Sequence, residues 1–244
     1  MKSVVKVVAG LCMLCLGLST ASFAGDGDAE KKRLTDAGQV LKEILDMPDK
    51  GIPGGLLKGS ECVIVMPSVK KAAFIVGGEY GRGVMSCRTG SNYDGPWSAP
   101  IMMASGGASF GLQIGGSGTD FVILVMNDKG LRSMVGGSKI KLGADASIAA
   151  GPLGRTTEAA TNLRMSAEML SWSRAQGVFG GVSLTGATLR VDNDADKNLY
   201  GKNVTAKEIM GGQVTAPEQF NQMQKLLEEK AGATRTPVPE AGKK

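Results

Sequence analysis

Gly107-Ala108-Ser109-Phe110-Gly111 fits G-x-S-x-G, the spacing that lifts a serine hydroxyl onto a strand-to-helix turn in serine hydrolases. The chemistry would be acyl transfer with Ser109 as nucleophile. A serine hydroxyl needs an adjacent base, and the hydrolase triad takes it from histidine. The chain contains no histidine, and no local spacing offers a lysine instead. Ser109 therefore reads as a strand residue between glycines, with a Ser109-dependent esterase as the alternative. The missing histidine also removes most zinc and redox-metal sites. Asp192, Asp194, Asp196 and Asn198 alternate as in a calcium loop, but Lys197 and Asn203 stand where that loop needs Gly and a bidentate Glu. These acids read instead as the charged start of a short helix. No glycine cluster matches G-x-x-x-x-G-K-[ST]. The sequence thus predicts a non-catalytic protein with no cofactor and no metal site.

Two other groups could do something physical. Cys62 and Cys87 lie in the strand-like segments ECVIVMP and GVMSCR. In an oxidising compartment they could pair, closing a loop worth roughly 3–4 kcal/mol; otherwise they are two small buried thiols. Lys31, Lys32, Arg33 and Lys42 flank an apolar stripe of Leu34, Ala37, Leu41, Ile44 and Leu45. A basic cluster beside such a stripe is how an interfacial helix meets anionic lipid. Asp36, Glu43 and Asp46 dilute the basic face, and on pattern alone a lone amphipathic helix is read as packed on the sheet.

The first 24 residues read as a leader. Lys2 and Lys6 precede an apolar run from Val7 to Leu18, and Ser22-Phe23-Ala24 offers small residues for cleavage before Gly25. The run is shorter than the ~20 residues of a span, and Leu11 and Leu14 precede Cys12 and Cys15, where a lipobox wants Gly or Ala. An exported protein, periplasmic or secreted, is expected. Losing residues 1–24 lowers the formal net charge from +5 to +3. That mild excess does not predict nucleic-acid binding but is compatible with weak attraction to an anionic membrane.

These groups need elements to position them. Residues 25–29 should be flexible, 30–231 a single domain with N- and C-terminal helices, and 232–244 a disordered tail. Helices are expected over 30–47, ended by Pro48, over 52–58, over 193–200, ended by Gly201, and over 215–231, where Thr215 and Glu218 suit a capping box. Strands are expected over 61–66, 72–78, 82–88, 99–105, 108–115, 120–126, 139–149, 167–176 and 178–191. KIKLGADASI alternates most cleanly, while 120–126 is apolar throughout and should be buried on both faces. Gly111, Gly115, Gly180, Gly181 and Gly186 suggest bulges and bends that help a sheet curl. The class is α+β: a curved or barrel-like antiparallel sheet with flanking N- and C-terminal helices.

The strings VIVMPSVKKAAFIVGGEYGRGVMSCR, GPWSAPIMMASGGASFGLQIGG, DFVILVMND, LGADASIAAGP, SWSRAQGVFGGVSLTGATLRVDND and NLYGKNV, in this order over roughly 30–210, resemble the SYLF domain family. The resemblance implies a phospholipid-binding module without enzymatic activity, also actin-binding in some members, and membrane contact through the N-terminal amphipathic helix. Carried onto this chain, it nominates Lys31, Lys32, Arg33 and Lys42, with Lys70 and Lys71 of PSVKKAAF as second candidates. A leader argues against meeting cytoplasmic actin, and makes anionic bacterial phospholipid a more sensible ligand than phosphoinositides. The expected partner is therefore an anionic phospholipid membrane surface, or, as the alternative, another envelope protein bound without lipid.

Overall fold

The computed structural model describes residues 27–47, 51–73, 76–110, 118–136, 139–153, 167–175 and 178–235. The leader with its cleavage site, Pro48, Gly111, Gly115 and the tail beyond 235 lie outside them, as do the side chains of Lys71 and Ser109. Six α-helices are described: α1 (Asp28–Leu45), α2 (Gly54–Gly59), α3 (Asp128–Val135), α4 (Asn193–Tyr200), α5 (Ala206–Met210) and α6 (Asn221–Ala231). Nine strands form one sheet: β1 (Cys62–Ala73), β2 (Val76–Cys87), β3 (Ile101–Phe110), β4 (Gly118–Val125), β5 (Ile140–Lys141), β6 (Ile148–Ala150), β7 (Met169–Ala175), β8 (Val178–Gly181) and β9 (Thr188–Val191). The class is α+β, as the sequence predicts.

The sheet runs β5-β9-β3-β2-β1-β4-β7-β6, with β8 also on β7. All pairings are antiparallel except β6 with β7. The outer edge of β7 is shared: β6 takes Met169 to Ser171 and β8 takes Trp172 to Ala175. β5 and β6 stand at opposite ends of the strand order, yet residues 142–147 join them; residues 182–187 join β8 to β9 in the same way. Links this short span only about 20–25 Å, so the two edges must curl towards each other. The result is a half-barrel.

Both faces of the sheet are covered. Val63, Val65, Val84, Met102, Val122 and Leu124 join one cluster with residues of α1, α2 and α6. Ile64, Met66, Met85, Ile101, Met103 and Ile123 join a second with residues of α3, α5, β5 and β9. This is why Phe121 to Met126 is buried without a break and why the central strands lack polar alternation: each side chain meets a core whichever way it points. Each fully buried Leu, Ile, Val or Met contributes about 1.5–3 kcal/mol relative to exposure. In α1 the expected stripe is buried at Leu34, Ala37, Leu41 and Ile44 and partly buried at Leu45, with Val40 also inside. The helix starts at Asp28, two residues ahead of expectation. Gly38 lets it approach α6, where a Cβ would touch Gln222 and Met223.

Several elements differ from the sequence reading. The expected strand 72–78 covers the end of β1 and the start of β2, which pair with each other, and 61–66 extends into one strand through Ala73. β3 is continuous over 101–110, where two strands, 99–105 and 108–115, are expected. KIKLGADASI is not one strand: β5 stops at Lys141 and β6 starts at Ile148. Gly143 turns the chain at φ 85°, a left-handed conformation that glycine adopts without steric cost. The turn is closed by Asp145, whose carboxylate accepts from Lys141 N–H at 2.6 Å. The expected strand 178–191 is likewise split into β8 and β9. The capping box is formed by Thr205 and Glu208, at the start of α5, a helix the sequence reading omits. Thr215 lies ahead of a 3₁₀ turn, Glu218–Phe220, that Glu218 opens, with no side-chain cap. Gly201 does end α4.

Cys62 stands opposite Cys87 in the β1–β2 register, and the two are bonded, with S–S 2.12 Å. Both are fully buried. Replacing both by alanine is expected to cost about 3–4 kcal/mol; non-reducing urea unfolding with an unchanged midpoint would contradict it.

β1 carries one extra residue against both neighbours. Its register with β2 shifts between Val65 and Lys70, and with β4 between Met66 and Val69. Pro67 and Ser68 occupy this bulge, where proline can sit inside a sheet, and Ser68 has φ 50°. On β2, Gly83 lets the strands approach: a Cβ there would overlap the Val65 carbonyl oxygen and the Met66 sulfur. Gly83→Ala should therefore destabilise by about 2–4 kcal/mol, read as a lower urea midpoint with unchanged m-value.

Candidate functional site

The bulge in β1 places Lys70 opposite Tyr80 of β2. Two residues on, Arg82 shares a strand face with Tyr80. The bulge itself is held by Asp120 of β4, which accepts from Ser68 N–H at 2.8 Å. The same carboxylate accepts from Arg174 of β7 at 2.7 Å, and Arg174 also pairs with Glu43 of α1. One guanidinium thereby ties the helix to two strands.

Where the start of α1 crosses this region there is a groove of about 380 Å³. Lys32, Arg33 and Asp36 line it from α1, Lys70 from β1, and Tyr80 and Arg82 from β2. Lys32 is held by Asp36 at 2.7 Å. Lys70 is exposed and makes no ion pair among the described residues. Arg82 donates through Nε to the Tyr80 hydroxyl, and its guanidinium lies 5.9 Å from the Tyr80 ring centre. It also sits 3.6 Å from the buried Asp192 carboxylate. The Tyr80 hydrogen bond, seconded by the charge of Asp192, raises the pKa of Arg82. Arg33 is half-buried; its Nη1 is buried without a hydrogen-bond partner among the described residues. Burial lowers its pKa, with Arg82 adding to the effect and Glu30 opposing it.

Among the described residues four cations thus converge with a single lining carboxylate, beside a tyrosine that is 53% exposed. Such a groove can hold an anion and rest an amphipathic ring at a polar–apolar boundary. Among the described residues it contains no paired nucleophile and base.

Of the nominated lipid-contact residues, the structure brings Lys32, Arg33 and Lys70 together. Lys31 pairs with Asp28 at 3.6 Å and Lys42 with Asp46 at 2.6 Å; neither lines the groove. Lys71 stands opposite Glu79 in register. Tyr80 and Arg82 are missing from the sequence reading. The signal was in GGEYGRG: Tyr and Arg at i and i+2 of a strand, between glycines that leave room above them. Ser109 pairs with Gly77 near the end of the β2–β3 ladder, within a strand and not on the strand-to-helix turn a nucleophile elbow requires. The alternating acids are engaged in the fold: Asp192 caps α4 on Ala195 N–H, and the fully buried Asp196 accepts from Met102 N–H at 2.8 Å. Among the described residues no group of three His, Cys, Asp or Glu could hold a metal ion, and no helix is long and apolar enough to cross a membrane.

The family described as Ysc84, Las17-binding protein actin regulator, matches residues 106–230. The chain belongs to this Ysc84 (SYLF) family. Curated relatives extend the likeness to most of the SYLF chain. An SH3 domain-containing protein of Schizosaccharomyces pombe is 35% identical over 207 residues, 82% of this chain and 47% of that one. Protein YSC84 of Saccharomyces cerevisiae is 35% identical over 208 residues, 82% and 44%. The SH3 domain-containing YSC84-like protein 1 of Bos taurus is 30% identical over 203 residues, 81% and 58%. This SYLF chain spans about half the length of these relatives.

Proposed function

We infer that this SYLF protein binds anionic phospholipid peripherally, outside the cytoplasm, and catalyses no reaction. The observation that carries the reading is the groove of Lys32, Arg33, Lys70 and Arg82, open to solvent beside the exposed Tyr80. Basic side chains near an anionic leaflet contribute about 1 kcal/mol each, and tyrosine settles at the headgroup level. Export rests on the leader-like residues 1–24, and the disulfide suits that compartment. The test is flotation of the protein with vesicles of graded phosphatidylglycerol content at low and high salt. Binding should rise with anionic lipid and fall with salt; equal binding to neutral vesicles, or none, overturns the reading.

A second reading follows from the family description, which names a protein, Las17, as the bound partner. Here the same chain would bind an envelope protein without lipid. Failure to float, together with co-purification of one protein from envelope extracts that is lost on altering the groove, would favour it.

A further inference from the structure

A second cavity, of about 530 Å³, lies at the far end of β2. Arg88 and Tyr93 line it from the region after β2, Arg132 and Val135 from α3, and Lys207 and Met210 from α5. Arg88 is six residues beyond Arg82, so at about 3.3 Å per residue the two sites are roughly 20 Å apart. A headgroup held in the groove does not reach it.

Among the described residues no lining residue is acidic. Arg88 is fully buried, and every partner it has is neutral. Its Nη1 donates to the Gly232 carbonyl at 2.7 Å and its Nη2 to the Ala231 carbonyl at 3.0 Å. Its Cζ lies 4.1 Å from the Trp97 ring centre. Its Nε is buried with no hydrogen-bond partner among the described residues. Burial, then the charge of Arg235, lowers its pKa to about 10, so it remains a cation at neutral pH. The nearby carboxylates are already engaged, Glu61 with Arg235 and Asp128 with Arg132, both at 2.8 Å. Lys207 is exposed and makes no ion pair among the described residues.

A sequestered cation without a counter-charge is costly, and beside a half-open cavity it adds positive potential for whatever enters. Tyr93 has φ 52°, a strained conformation for a bulky non-glycine residue, and such strain gathers at ligand sites. Besides Thr89 and three glycines, the rest of the described wall is largely apolar. Val135, Met210 and the Tyr93 ring pack against the same core cluster, and the volume lies in the range of small-molecule sites.

We propose that this cavity binds a small amphiphilic organic anion, its phosphate or carboxylate set between Arg132 and Lys207 in the field of the buried Arg88 and its alkyl part against Val135, Met210 and Tyr93. The site is independent of the groove and does not rest on the membrane reading.

The test is calorimetric titration of the protein with hexyl phosphate, inorganic phosphate and hexanol. Hexyl phosphate should bind about tenfold or more tighter than inorganic phosphate, since only it also buries an alkyl chain, and hexanol should not bind. Arg132→Gln with Lys207→Gln, both exposed positions that leave the core untouched, should weaken hexyl phosphate about tenfold or more. Lys197→Gln with Lys225→Gln, exposed lysines that line neither the cavity nor the groove, should leave it unchanged. No binding of hexyl phosphate, equal binding of inorganic phosphate, or binding that survives the Arg132 and Lys207 changes overturns the proposal. Phosphatidylglycerol vesicles separate the sources: retention weakened by the Arg132 and Lys207 changes marks a membrane lipid as the natural donor of the anion, and unchanged retention marks a dissolved amphiphile.

Discussion

Lys32→Glu together with Lys70→Glu is expected to lower binding to anionic vesicles roughly a hundredfold at low salt. Each lysine near an anionic surface contributes about 1 kcal/mol, and a glutamate in its place repels by a similar amount. Two reversals therefore amount to about 4 kcal/mol before screening, and roughly a hundredfold after it. Both side chains are exposed, so the fold should stand. The informative control is Lys31→Glu with Lys42→Glu. It changes net charge by the same amount, with both positions on α1, but neither lysine lines the groove. Flotation at low salt should show a few-fold loss for this pair against roughly a hundredfold for the groove pair. Equal losses would mean that overall charge, and not the groove, governs attraction.

The contrast between these pairs also shows what was legible in the sequence. The stripe of α1 was readable because helical spacing puts Leu34, Ala37, Leu41 and Ile44 on one face whatever they pack against. Its basic residues were readable as a set, but the sequence cannot divide them. Lys31 and Lys32 are adjacent, and only Lys32 lines the groove, because the bulge at Pro67 and Ser68 brings β1 up to that side of the helix. A bulge is a register property of three strands and leaves no periodic trace in one of them. Arg88 was invisible for a related reason. It follows Cys87 directly and looked like the polar end of a strand, yet α6, more than a hundred residues later, presents its last carbonyls to it. Propensity misled at KIKLGADASI, where alternation was genuine but Gly143 and Asp145 make a turn. It misled again at Thr215, since a Thr-x-x-Glu string caps only where the backbone turns helical at once, as it does at Thr205.

Burial of acids in this fold has a consequence for its response to pH. Glu61 is 3% exposed and its pKa is raised from 4.5 to about 7, first by burial, with Arg235 opposing and Asp128 assisting. Asp196 is fully buried and its pKa is raised from 3.8 to about 7, again first by burial, with Met102 N–H opposing and Asp192 assisting. Between about pH 4 and pH 7 the folded chain therefore holds protons at these sites that the unfolded chain has released. Where the native state binds more protons, stability falls as pH rises. The protein should be most stable near pH 5 and lose stability on going to pH 8. Raised pKa values of this size correspond to a change on the order of 3 kcal/mol for each group. Below about pH 4.5 the trend reverses. Glu208 has its pKa lowered by the Thr205 backbone and hydroxyl, and Asp46 by Lys42, and both lose those contacts on protonation. Urea midpoints at pH 5, 6.5 and 8 give the profile. Asp196→Asn keeps an acceptor for Met102 N–H, and Glu61→Gln keeps one for Arg235, while neither residue titrates. The double variant should flatten the profile between pH 5 and pH 8 and be the more stable protein at pH 8. A wild-type midpoint that is equal or higher at pH 8 would mean that both carboxylates are stabilised as anions, Glu61 by Arg235 and Asp196 by the Met102 amide, by more than their burial costs.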